Sequence, residues 1–132
     1  MVSVSSNTQS ATAGARKLLE ENPQINLLVG FNEWSTIGVG MAIKELGLKD
    51  RVCAIGFDNN TECVGMLETG ELDTLIVQNP FSMGYLAVMN AANILSGKKT
   101  ESVIKTDVYV VDRSNMFSAD VQKILFGFDK YD

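Results

Sequence analysis

The chain has 132 residues, 45% of them hydrophobic and 20% charged, with a formal net charge of −5 and no histidine. That length and apolar content suit one domain with a sizeable core. An acidic chain without a basic block excludes nucleic acid and anionic membrane as main partners, because binding phosphate needs clustered Lys and Arg.

The remaining exclusions follow from local features. Lys98-Lys99 is the only basic pair and sits in a Gly/Lys/Thr stretch that reads as a solvated turn. No apolar run is long enough to cross a bilayer. The start, MVSVSSNTQS, has neither a basic region nor an apolar one, so no export signal is visible. Two cysteines, Cys53 and Cys63, make no disulfide framework and are expected as free, partly buried thiols. With no His, a metal site is not expected.

In chain order, Val2 to Ser5 reads as a short strand or its tail. Ser6, Asn7 and Thr8 then offer caps for a helix carrying Ala11, Ala15, Leu18 and Leu19 on one face, ended by Pro23. Ile25 to Phe31 is nearly all apolar and predicts a strand covered on both faces. Val39, Ala42, Ile43 and Leu46 mark an amphipathic helix from about Glu33 to Gly47. Val52 to Phe57 predicts a second covered strand, Thr61 to Glu68 a short helix closed by Gly70, and Leu72 to Gln78 a third strand. Met83, Ala87, Ala91, Ile94 and Leu95 mark a further helix closed by Gly97. Val108 to Val111 is a last strand and Asp120 to Phe126 a last short helix. Strands and helices alternate, and the strands are apolar throughout. The expected fold is therefore α/β, a three-layer sandwich with a mainly parallel sheet and helices on both faces.

In open α/β sheets ligands bind beyond the carboxyl ends of the strands. The residues there are Asn32 and Glu33, then Asp58, Asn59 and Asn60, then Gln78 and Asn79. Carboxylates accept several hydrogen bonds, and amides both donate and accept. Such a set suits a neutral ligand with many hydroxyls, and a carboxylate bridging two of them forms the stronger, charge-assisted bonds. Phe31, Trp34, Phe57 and Phe81 lie beside these groups and could pack on a sugar ring. The same residue types are also ordinary turn and cap residues, and Phe31 and Phe57 are equally at home in a core. Spacing alone leaves both readings open.

Three segments in this order carry a resemblance: FNEWSTIGVGMAIKELG, VCAIGFDNN and LETGELDTLIVQNPFSMGYLAV. Together they resemble the second lobe of type I periplasmic binding proteins of the ribose and galactose branch, over about residues 6–116. The resemblance implies that Asn32, Asp58 and Gln78 bind a monosaccharide, with Asp58 gripping its hydroxyls. It makes Trp34, Phe57, Asn7 and Thr8 candidate ligand or lid contacts. The family often has Asp after the first of these positions, and Glu33 stands here. The family often has Arg or an aromatic in the loop before the first helix, which here reads Ser6-Asn7-Thr8.

The function implied is that of a substrate-binding lobe of an ATP-driven sugar importer, without a cofactor and not an enzyme. Hinge closure on the sugar would create the form that a membrane permease recognises. The alternative is an effector-sensing domain of a lac repressor-type regulator or a sensory receptor. An enzyme on a flavodoxin-like sheet is disfavoured, since there is no Gly-rich phosphate loop, no His base and no nucleophile elbow. The family protein has two lobes, so the chain is expected to be a C-terminal fragment lacking the first lobe. The intact protein is expected to be periplasmic, or extracellular and membrane-anchored. The segment 81–104 would pack on the first lobe, and self-association through helix 81–95 is expected in its absence.

Overall fold

The computed structural model describes residues 2–127. Nine elements follow one another: α1 (Thr8–Glu21), β1 (Leu27–Val29), α2 (Glu33–Leu46), β2 (Cys53–Phe57), α3 (Thr61–Thr69), β3 (Thr74–Gln78), α4 (Pro80–Leu95), β4 (Val108–Asp112) and α5 (Ala119–Phe126). The strands form one sheet in the order β1-β2-β3-β4. β1 and β2 run parallel with Leu28 opposite Ala54, and β2 and β3 run parallel with Phe57 opposite Ile76. The class is the expected α/β fold with a mainly parallel sheet.

The chain divides into two compact units, residues 1–77 with 110–132, and residues 78–109. In the first unit, α2 packs against α1, β1, β2 and α3. That position explains why it buries Thr36 to Gly40 without a break, together with Ala42 and Ile43, rather than a narrow stripe. Ile43, Val52, Leu67, Leu72, Leu75, Val77 and Met116 are among the best-buried side chains of its core. α2 and α3 stop where Gly47 and Gly70 take φ of 63° and 90°, a left-handed conformation that costs glycine little.

Several expectations need correction. Val2 to Ser5 forms no strand. The strand expected over Ile25 to Phe31 shrinks to three residues, and it is not covered on both faces: Leu27 and Val29 are exposed, while Leu28 packs on the core. Side chains alternate across a strand, so Leu28 faces the α2 side and Leu27 and Val29 face the other; β2, also expected to be covered on both faces, repeats the pattern, with Ala54 and Gly56 buried, Cys53 exposed and Ile55 and Phe57 half-buried. Leu18 is half-buried, and the buried face of α1 is Ala11, Ala15 and Leu19. Both cysteines are free, but Cys53 is exposed rather than partly buried. Cys63 is buried, and burial pushes its thiol up to about 12.

The second unit consists of α4, the segment after it and the start of β4. Asn79 caps α4 by accepting from Ser82 N at 3.0 Å, with Pro80 in the first turn. α4 has no buried residue, and Phe81, Met83, Tyr85, Val88, Ile94 and Leu95 are exposed. Beside it lies a groove of about 350 Å³ lined by Met83, Leu86, Asn90, Ile94, Ile104 and Thr106, among others.

Candidate functional site

The site in the first unit is built where β1 hands over to α2 and β2 to α3. β1 leaves through Gly30 and Phe31 into Asn32, the N-cap of α2. Its side-chain oxygen accepts from Ser35 N at 2.9 Å, and Ser35 Oγ accepts from Asn32 N at 3.0 Å, a reciprocal capping box. The Asn32 amide nitrogen has no protein partner among the described residues. Asn32 is thus a cap with half of its side chain uncommitted.

β2 leaves through Gly56 and Phe57 into Asp58. Asp58 has φ 72°, and no other described non-glycine residue has a positive φ. Asp is one of the few residues that tolerate this region. Its backbone amide donates to Ile76 O at 3.1 Å, and its Oδ2 accepts from Glu33 N at 3.1 Å. Glu33 opens α2, so this carboxylate lies at the positive end of the helix dipole. Asp58 Oδ1 has no protein partner, and Asp58 forms no ion pair among the described residues. Arg16 pairs with Glu20 and Glu45, Lys44 with Glu71 and Arg113 with Asp73.

A second link ties the same turn to α2. Asn60 caps α3 by accepting from Cys63 N at 2.7 Å, and its amide nitrogen donates to Glu33 Oε1 at 2.6 Å. Asn59 turns away and donates to Leu125 O at 2.7 Å and Ile124 O at 3.2 Å, at the last turn of α5. Beside Asp58 the Phe31 and Phe57 rings are 6.0 Å apart and tilted by 35°. Phe57 is half-buried, while Phe31 is 70% and Trp34 43% exposed. Uncommitted polar atoms beside exposed aromatic faces are what a hydroxyl-rich ring needs.

The other candidates belong to other elements. Gln78 ends β3 and opens the second unit, and its side chain is exposed with no hydrogen bond among the described residues. β3 runs parallel to β2, so Gln78 follows the same, carboxyl-terminal direction. Asn7 caps α1 by accepting from Ser10 N at 2.8 Å, and Thr8 is the first helical residue.

One residue escaped the sequence reading. Thr36 is fully buried, and its Oγ1 accepts from Phe57 N at 2.8 Å. The signal that could have found it is the pair Gly30 and Gly56. A Cβ added to Gly56 would lie 2.1 Å from Thr36 Cγ2, and one added to Gly30 would lie 2.6 Å from Thr36 N. Both glycines clear the space that α2 occupies.

Comparison with known proteins places this geometry in a family. The family model described as a periplasmic binding protein domain matches residues 2–99. A ribose import binding protein of Haemophilus influenzae is 30% identical over 94 residues, covering 71% of this chain and 32% of that protein. One from Bacillus subtilis is 33% identical over 87 residues, covering 66% of this chain and 28% of that protein. The chain therefore spans about a third of the length of the curated relatives it matches. Among solved structures, a carbohydrate transporter solute binding protein from Agrobacterium radiobacter in complex with D-arabinose superposes with a TM-score of 0.81. It is 30% identical, over 90% of this chain and 40% of that one. A solute binding protein from Agrobacterium vitis with bound D-fucose gives 0.80 at 31% identity, over 92% of this chain and 42% of that one. With the family model matching well over half of its residues, the chain belongs to the periplasmic binding protein domain family.

Proposed function

We propose that this chain is the second lobe of a two-lobe sugar-binding protein that serves an ATP-driven importer. In this reading Asp58, Asn32 and Gln78 hydrogen-bond a neutral monosaccharide, and Phe57 and Trp34 pack beside it. The protein binds and delivers its ligand rather than transforming it, and works in the periplasm or tethered outside the cell. A permease recognises the closed, sugar-loaded form.

The observation that carries the reading is the state of Asp58. One carboxylate oxygen is held by Glu33 N at 3.1 Å, and the other is left for a ligand. A carboxylate fixed in this way can accept from a hydroxyl without first losing conformational freedom. The matched relatives are ribose import binding proteins or were solved with sugars bound, which supports a sugar as the ligand.

The exposed face of α4 supports the remaining part of the proposal. The segment 81–104 is a packing surface for a first lobe. In the 132-residue chain on its own, the same surface drives self-association.

The test of the sugar reading is an NMR titration of the chain with D-ribose, D-arabinose and D-allose. One lobe leaves the ligand half solvated, so binding is expected only at millimolar sugar. The amides of Asn32, Glu33, Asp58 and Gln78 should shift together. Sugar-independent spectra, or shifts confined to other residues, would overturn the reading.

A further inference from the structure

We infer that Thr36 is a positioning residue for Asp58, acting through the last peptide of β2. The inference rests on the reading of Asp58 as the sugar-binding carboxylate.

The ladder between β1 and β2 steps by two residues. Cys53 N donates to Asn26 O, and Gly30 N donates to Ile55 O, both at 2.9 Å. In a parallel ladder the next acceptor for the Phe57 amide would be Gly30 O. The Thr36 hydroxyl stands there instead. It accepts from Phe57 N at 2.8 Å and lies 3.2 Å from Phe57 O and 3.5 Å from Gly30 O, so its own proton has an acceptor. Among the apolar neighbours Ile37, Val39 and Ile43 a buried hydroxyl is costly unless it is bonded.

The consequence falls on the next residue. With both the N–H and the carbonyl of Phe57 facing one side chain, the direction in which the chain enters Asp58 is fixed. Asp58 then turns to φ 72° and brings Oδ2 to Glu33 N. α2 therefore holds residue 57 by the side chain of its fourth residue and residue 58 by the backbone of its first. Gly30 and Gly56 leave the room that this arrangement takes. A plain core residue would fill the same space without orienting Phe57.

Amide hydrogen exchange by NMR on the 132-residue chain separates the two roles. The variants are Thr36→Val, which keeps the shape and loses the hydroxyl, and Thr36→Ser, which keeps the hydroxyl. In Thr36→Val the Phe57 and Glu33 amides should both exchange at least about fivefold faster relative to the core amides of Ile43 and Leu75, as expected for one lost hydrogen bond each. Thr36→Ser should hold both near the original rates. Glu33 N bonds Asp58 and not Thr36, so its exchange reports where Asp58 sits. Unchanged Glu33 protection in Thr36→Val would overturn the inference, as would failure of Thr36→Ser to preserve it. Thr36→Ala carries the same comparison if the valine variant does not fold. Addition of D-ribose should shift the Asp58 amide in the original chain and in Thr36→Ser, with a dissociation constant at least about fivefold weaker in Thr36→Val. If none of D-ribose, D-arabinose and D-allose moves anything in the original chain, the sugar reading fails, and the exchange data still decide the role of Thr36.

Discussion

The backbone amide of Glu33 donates to a carboxylate oxygen of Asp58 at 3.1 Å, joining the first residue of α2 to the residue that follows β2. The bond spends one oxygen on the protein and leaves the other. It also makes the usual alanine test of Asp58 ambiguous, because Asp58 sits at φ 72°. Alanine there adds a backbone cost of about 1–2 kcal/mol to whatever the site loses. Asp58→Asn avoids this, since Asn tolerates the same region. Chemical denaturation should rank Asp58→Asn above Asp58→Ala in stability by roughly that amount. Both variants should lose the sugar-induced shifts. Equal stability of the two would contradict the left-handed turn.

Asn32 and Gln78 should separate in the same experiment. Asn32 caps α2, so Asn32→Ala should lower stability by about 1 kcal/mol, whatever it does to sugar. Gln78 makes no hydrogen bond among the described residues, so Gln78→Ala should leave the denaturation midpoint unchanged and affect only the ligand response. A stability loss in Gln78→Ala as large as that in Asn32→Ala would assign Gln78 to the fold.

Acid should weaken the fold partly through Glu71. Burial alone would raise its carboxyl, but the Thr69 hydroxyl, its own backbone amide, Lys44 and Lys49 together hold it below its ordinary 4.5. A depressed carboxyl stabilises the folded state fully above the unfolded value and loses that contribution as pH falls through the folded value. Urea midpoints measured downward from about pH 5 should therefore fall less steeply in Glu71→Gln than in the original chain. Asp112, held low chiefly by Ser114, remains in both, so the slope should shrink rather than vanish. Parallel slopes would mean that Glu71 carries no such linkage.

The α4 face gives a prediction about assembly. Residues 80–97 contain no charged side chain, and none of α4 is buried. Light scattering across a dilution series should show a mass that rises with concentration, and Met83→Asp with Ile94→Asp should restore the monomer. A strict monomer at high concentration would limit this face to contact with a first lobe.

The local parts of this protein could be read from its sequence. Helix faces repeat every three to four residues, and caps act within one turn, so Gly47 and Gly70 marked their helix ends without tertiary knowledge. The alternation of apolar strands with helices likewise gave the α/β class and put Asn32, Asp58 and Gln78 after successive strands. What tertiary structure alone decided spans longer separations. Glu33 meets Asp58 across 25 residues, Thr36 meets Phe57 across 21, and Asn59 meets Leu125 across 66. No period or cap rule reaches that far. The sequence offered Asn59 as a strand-end ligand group, and packing against α5 gave it a structural role. It offered β1 and β2 as strands covered on both faces, and the open face that they share left Leu27, Val29 and Cys53 exposed. Burial is a property of neighbours in space, and an apolar run carries no record of which neighbours it will have.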